Sequence, residues 1–276
     1  MKKLLYVFVL LLSSNAMAQS ETLCSKGNFY LGWGWNRAWY TNSDIHFEGD
    51  GYDFTLYDVK AKDRQTDFSF DPYFHPLKLT IPQTNFKIGY FLSDDYTISI
   101  GFDHMKYVMA QNQTVNFEGE IENTHPFYDG YKGNTIVLSP NFLTYEHTDG
   151  LNYVNTELAR YIPLYSNKLP VLGLVDIAFT QGIGAGVLTP RTDAHVMGKE
   201  KSDYFHLAGF GLSTMSGINI SLFRYFYFQT EFKAGYINLL DVSTSKDAID
   251  KAQQDFGFIQ WNFTFGGRFN LSAFKK

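Results

Sequence analysis

From Phe29 onward the chain alternates apolar positions with polar or small ones at a period of two. Phe29, Leu31, Trp33 and Trp35 share one face, and Tyr30, Gly32, Gly34 and Asn36 share the other. That spacing predicts a strand. The pattern returns in Phe86, Ile88 and Tyr90 against Lys87 and Gly89, and in Ile98, Ile100 and Phe102 against Ser99, Gly101 and Asp103. It continues through Val154 and Leu158 against Asn155, Glu157 and Ala159, through Val175–Gly186, and through 209–220. The last two segments place Phe226, Phe228, Phe232 and Tyr236, then Trp261, Phe263, Phe265 and Phe269, on the apolar face. About eight strands are predicted. In each, the second face is small or charged instead of apolar. A soluble sandwich needs a second apolar layer there, whereas a barrel with lipid outside and a narrow interior does not.

The connections alternate in length. Short turns fall at Ser93-Asp94-Asp95, around Ser166-Asn167-Lys168 and at Arg224-Tyr225. Long ones follow Tyr40, for about forty residues, and occupy 111–141, 189–202 and 242–255. Short periplasmic turns and long extracellular loops are the usual asymmetry of outer-membrane barrels, which puts both chain ends in the periplasm. Within the first long loop, Gly49-Asp50-Gly51-Tyr52 reads as a tight turn, and Tyr52–Val59 is apolar enough to form an extra hairpin or to lie over the barrel mouth.

The Phe91-Leu92-Ser93-Asp94-Asp95-Tyr96 turn and the aromatic final strand, Trp261 to Phe269, resemble the small eight-stranded bacterial outer-membrane barrels of the OmpA and OmpX type. The chain departs from them by continuing past Phe269 to Leu271, Phe274 and Lys275-Lys276. The resemblance implies an all-β antiparallel transmembrane barrel, insertion by the barrel-assembly machinery, and contact with outer-membrane lipids and lipopolysaccharide. It implies no activity.

The chain's start agrees with export. Lys2 and Lys3 precede an apolar run, Leu4 to Leu12, and Ala16-Met17-Ala18 offers a cleavage site. Residues 1–18 are therefore expected to be a signal peptide and 19–276 the barrel domain. Cys24 is the single cysteine, so no internal disulfide is expected. Removing the leader takes the formal net charge from -5 to -7, which argues against a nucleic-acid partner. Mean hydropathy is only -0.21 although 18% of residues are aromatic. Alternating strands with aromatic girdles produce that combination.

Candidate chemistry lies in two places. Eight strands leave an interior just wide enough for side chains, so Lys87, Lys233 and Arg268 should pair with Asp103, Glu157, Asp176 and Glu231 inside the barrel. At the rim, all seven histidines fall on the long-loop side. The clusters Asp103-His104-Met105-Lys106 and Glu146-His147-Thr148-Asp149 could meet across a hairpin. A carboxylate beside an imidazole would then make a general base at the level of lipid headgroups. Alternation alone turns His104 toward lipid unless a bulge breaks parity. The acids Asp44, Glu48, Asp50 and Asp53 match no compact metal motif, and no cofactor motif is present. Three functions fit: a surface barrel of structural or ligand-binding role, with an extracellular ligand not named by the sequence; a lipid A- or phospholipid-modifying enzyme using His104 or His147 with Asp103, Glu146 or Asp149; or a small channel.

Overall fold

The computed structural model describes residues 26–75, 78, 81–170, 173–223 and 225–270. The leader, Cys24, Arg224 of the third turn, and the closing residues from Leu271 lie outside the described residues. In chain order the strands are β1 (Asn28–Tyr40), β2 (Ser43–Gly49), β3 (Tyr52–Val59), β4 (Ala61–Lys62), β5 (Thr84–Phe91), β6 (Tyr96–Met109) and β7 (Thr114–Ile121). They continue with β8 (Thr135–Val137), β9 (Leu143–Leu169), β10 (Gly173–Leu188), β11 (Asp193–Val196), β12 (Gly209–Leu222), β13 (Phe226–Ser243) and β14 (Lys251–Asn270). A helical turn, α1 (Phe70–Tyr73), follows β4.

Eight of these strands close a ring in the order β1-β5-β6-β9-β10-β12-β13-β14, and β14 returns to β1 from Asn28↔Asn270 to Tyr40↔Phe258. Every pairing is antiparallel. The expected eight-stranded barrel is therefore present, and its members are the eight segments predicted above. The second short turn sits just past Leu169, because β9 runs through Ser166-Asn167-Lys168.

The outer face of the ring carries exposed Leu31, Ile88, Ile100, Ile183, Phe232 and Phe263. From Phe29 to Trp39 this face spans ten residue steps, which a tilted strand converts to a band about 25 Å tall. Lipid is the solvent that such a band matches. Inside, polar side chains fill the ring, and glycines make room for the largest of them. A Cβ at Gly89 would run into the Tyr30 ring, and one at Gly32 into the Tyr227 hydroxyl.

Above the band the long connections carry strands of their own, joined by irregular stretches at 122–134 and 197–208. They form a β-structured module continuous with the ring. The β2–β3 hairpin pairs with the top of β14 and extends through β7 to β8, while β11 pairs with the top of β9. The turn at 49–52 and the extra hairpin expected in the first loop are both present. Between these layers lies a large apolar core: Phe47 stacks on Phe54 at 5.4 Å, Phe54 on Phe117 at 5.3 Å, and Phe47 meets Tyr145 of β9 edge-on at 5.4 Å. Burial of each ring contributes about 2–3 kcal/mol.

The ring strands change polarity as they enter the module. On the inner face of β14, Asn262 and Gln260 give way to Phe258 and Phe256; on its outer face, Phe263, Trp261 and Ile259 give way to Asp255 and Gln253. In β13 the inner sequence Gln229, Glu231, Lys233 is followed by Ile237 and Leu239. The expectation that loops begin at Val242 and end at Asp255 is corrected accordingly. β13 runs to Ser243 and β14 starts at Lys251, with the sidedness reversed and one irregularity in β13 between Leu239 and Val242.

One stretch of wall lacks a continuous ladder. β5 begins opposite Trp35, and above it β6 is paired on that side only at its top, by β4 at Ala61↔Met109 and Lys62↔Val108, which leaves a seam against the upper edge of β1. Side chains and isolated backbone groups close it: Asn36 N–H donates to Gln83 O (3.1 Å), Ala38 N–H to Asp63 Oδ2 (2.9 Å), and the Tyr40 hydroxyl to Lys106 O (2.9 Å).

Candidate functional site

The lumen is filled in layers. Near the short turns Arg268 sits among Phe91, Tyr161 and Tyr227, 5.3–5.6 Å from their centroids, and donates to Ser221 Oγ (2.5 Å) and Asn219 Oδ1 (2.8 Å). Cation–π attraction and two charge-assisted hydrogen bonds hold the guanidinium there. Asp176 is buried nearby on β10, opposite Ser221.

The next layer is a cluster of five charges. Lys233, fully buried, bridges Asp103 (2.5 Å) and Glu157 (2.6 Å), while Lys87 pairs with Glu157 and approaches Glu231 at 3.7 Å. Asn85 and Asn155 donate to Asp103, and Gln229 donates to Glu231 (2.8 Å). These contacts join Lys87, Lys233, Asp103, Glu157 and Glu231 in one cluster. Arg268 stands apart from it in the aromatic layer. Beside the cluster lies a void of about 20 Å³, lined by Asn85, Lys87, Asp103 and Glu231. That is room for about one water.

At the rim, β6 and β9 are neighbours, as the hairpin argument required, yet the two clusters do not combine. Asp103 faces the lumen, and the adjacent His104 faces out, where its Nδ1 meets Asn152 Oδ1 at 2.8 Å. His104 is nevertheless fully buried; Asn152 Nδ2 in turn donates to Thr189 O (3.1 Å). Between Met105↔Leu151 and Tyr107↔His147, β9 uses four residue steps where β6 uses two. Gly150, at φ +140°, takes up the irregularity.

His147 consequently points into the module core, 5.8 Å from the Tyr107 ring and 4.9 Å from Tyr145, with Nδ1 2.9 Å from Thr192 Oγ1. Burial, reinforced by repulsion from His206, pushes its pKa down to about 3. The three carboxylates have other partners. Glu146 holds Arg64 through two bonds of 2.9 and 2.7 Å, Asp149 lies 3.7 Å from Arg191, and Asp103 belongs to the lumen cluster. The expected pairing of His104 or His147 with Asp103, Glu146 or Asp149 is corrected on this point: Asp103 and Glu146 directly precede their imidazoles and so face the opposite side of the strand, while Asp149 sits in the irregular stretch before Gly150 and faces Arg191.

With these positions in hand, the chain can be set beside known proteins. No protein-family model matches it, and none of the curated proteins does. Solved structures similar to it include the outer membrane protein OprG from Pseudomonas aeruginosa, at 11% identity and a TM-score of 0.37, covering 89% of this chain and 97% of that one. The attachment invasion locus protein Ail of Yersinia pestis is 12% identical with a TM-score of 0.30, covering 88% and 99%. Neisserial surface protein A is 8% identical with a TM-score of 0.31, covering 86% and 97%. All three are bacterial surface or outer-membrane proteins. At such identities and scores the likeness adds nothing to what the ring itself establishes.

Sequence reasoning missed two features of the module. Asp250 is a buried hub that joins three connections: it accepts from Ser245 Oγ (2.6 Å), Lys199 Nζ (2.9 and 3.0 Å) and Asp50 N–H (3.0 Å). Burial would raise its pKa, but these donors hold the carboxyl below its ordinary value. The second is an open groove of about 700 Å³ on the module surface, lined by His125, Phe127, Tyr128, Asn141 and His195 among others. The His125 ring lies tilted against Phe127 at 5.6 Å and Tyr128 at 5.3 Å. The residues at 125–128 and at 195 are far apart in sequence, so no motif could announce the groove.

Proposed function

We propose that this protein is a closed, non-conducting barrel of a bacterial outer membrane, exported by a leader cleaved after Ala18, whose extracellular module contacts a ligand outside the cell. The observation that carries this reading is the filled lumen: five mutually paired charges block the ring, so function must lie on a surface. The module supports it, since its apolar core makes a rigid platform and its His125–Tyr128 groove offers aromatic rings and imidazoles to a partner. Partners met on the way are the assembly machinery, and those in place are outer-membrane lipids and lipopolysaccharide.

Planar-bilayer recording tests the plug. The expected trace stays at background, and discrete conductance steps would overturn the reading. A single cysteine introduced as Phe127→Cys in a Cys24→Ser chain should react with a membrane-impermeant maleimide on intact cells. Labelling only after the envelope is broken would place the module on the wrong side. A lipid-modifying rim has less support, because the three carboxylates are engaged elsewhere, Asp103 with Lys233, Glu146 with Arg64 and Asp149 near Arg191. Lipid mass spectra from cells with and without the protein are expected to coincide.

A further inference from the structure

Between β4 and β5, residues 66–75 leave the module and lie against the outside of the ring. Its rings are in contact with the lipid-facing wall: Phe74 is 5.1 Å from Trp35 and 6.3 Å from Trp33, and Tyr73 is 5.6 Å from Trp35. Trp33 and Trp35 belong to the face that carries Leu31, and both meet Phe265 of β14, at 5.4 and 5.8 Å. The segment therefore covers part of the apolar band. The face it turns outward in exchange is also apolar. Phe68 is 68% exposed and Phe70 78%, with Phe74 and Ile81 beside them. These rings form one cluster, Phe68–Phe70 at 5.9 Å, Phe68–Tyr73 at 5.2 Å and Phe70–Phe74 at 5.7 Å.

Internal bonds shape the segment. The Tyr73 hydroxyl donates to Thr66 O (2.7 Å), Thr66 Oγ1 to Ile81 O (2.7 Å), and Phe74 N–H to Phe70 O (2.9 Å). Backbone groups near lipid require such partners. Its charges are compatible with the boundary between headgroups and acyl chains but not with the bilayer centre: Lys78 pairs with Asp71 at 2.6 Å, and Asp67 is exposed.

From the continuity of this face with the apolar band, and resting on the membrane placement proposed above, we infer that residues 66–75 form a strap docked in the outer leaflet, with Phe68, Phe70 and Phe74 inserted among acyl chains. Its occupant is membrane lipid, not a protein. The strap lies just below the seam between β1 and β6, and its exit through Asp63 and Gln83 supplies the groups that close that seam.

Fluorophores attached at single cysteines test this in the full chain carrying Cys24→Ser, reconstituted in phosphatidylcholine vesicles with acyl-chain nitroxides or with aqueous iodide. Phe70→Cys and Phe68→Cys are the strap sites, Phe232→Cys reports the ring's lipid face, and Phe127→Cys reports the module. Nitroxide quenching at the strap sites is expected to match that at Phe232→Cys to within about a factor of two, with iodide ineffective. Iodide quenching at the strap while Phe232→Cys remains lipid-quenched would overturn the strap alone. Shielding from both quenchers would mean a second copy or another protein covers it, which also overturns the proposal. Loss of nitroxide quenching at Phe232→Cys would instead refute the membrane placement of the ring.

Discussion

Below Trp39 the ring keeps Lys87, Lys233 and Glu157 inside and Leu31, Phe232 and Phe263 outside; above it, the same strands keep Phe256 and Phe258 inside and Asp255 and Lys251 toward water. The strand geometry is common to both halves, and only the surrounding solvent differs. Where lipid lies outside, the polar groups turn inward and must satisfy one another. Where water lies outside, the inner face can become an ordinary apolar core. The reversal takes a step or two of alternation along β14, between Gln260 and Phe258 on the inner face and between Ile259 and Asp255 on the outer.

This contrast can be broken from either side. The largest effect is expected in the ring. Lys233→Met leaves Asp103 and Glu157 without their shared cation in a dry lumen and should cost about 3–5 kcal/mol. The loss will show as a lower urea midpoint for the heat-modifiable gel band. A shift no larger than that of an exposed control would mean that the cluster is hydrated and not a structural plug. In the module, Phe54→Ala removes a fully buried ring and should cost about 3 kcal/mol, but locally. Limited proteolysis should begin within residues 41–142 while the gel band is retained. Simultaneous loss of both would show that the halves fold as one unit.

Acid should separate the halves more gently. His147 is neutral in the fold, with a pKa near 3, but takes a proton at about 6.5 when unfolded. Between those values the unfolded chain binds more protons, so its contribution is complete above pH 6.5 and is lost as pH falls toward 3. The slope is about 1.4 kcal/mol per pH unit. Protease resistance of the module should fall over that window, and His147→Phe should flatten the profile. The smallest effect belongs to the solvent-facing pair Arg64–Glu146, where Arg64→Ala should change the midpoint by no more than about 0.5 kcal/mol.

The same contrast explains what could be read in advance. The ring strands were legible because Phe29, Leu31 and Trp33 against Tyr30, Gly32 and Gly34 obey one rule of sidedness, and the partners of Lys87 and Lys233 follow from it. The module was not, because the reversal makes the upper parts of β13 and β14 look like loop to a search for apolar residues on the outer face. Continued alternation through Phe256 and Phe258 was the available signal. The rim site failed for a different reason. His104 beside Asp103, and His147 beside Glu146, suggest a constellation only if adjacency in sequence is taken for adjacency in space.

The plugged lumen also dictates an order of events during assembly. With the module outside the cell, as proposed above, a ring closed from β14 to β1 and filled by paired charges offers strands β2, β3, β7 and β8 no way through. Those segments must cross to the far side while the first and last ring strands are still apart, so closure of that pair is the final, committing step.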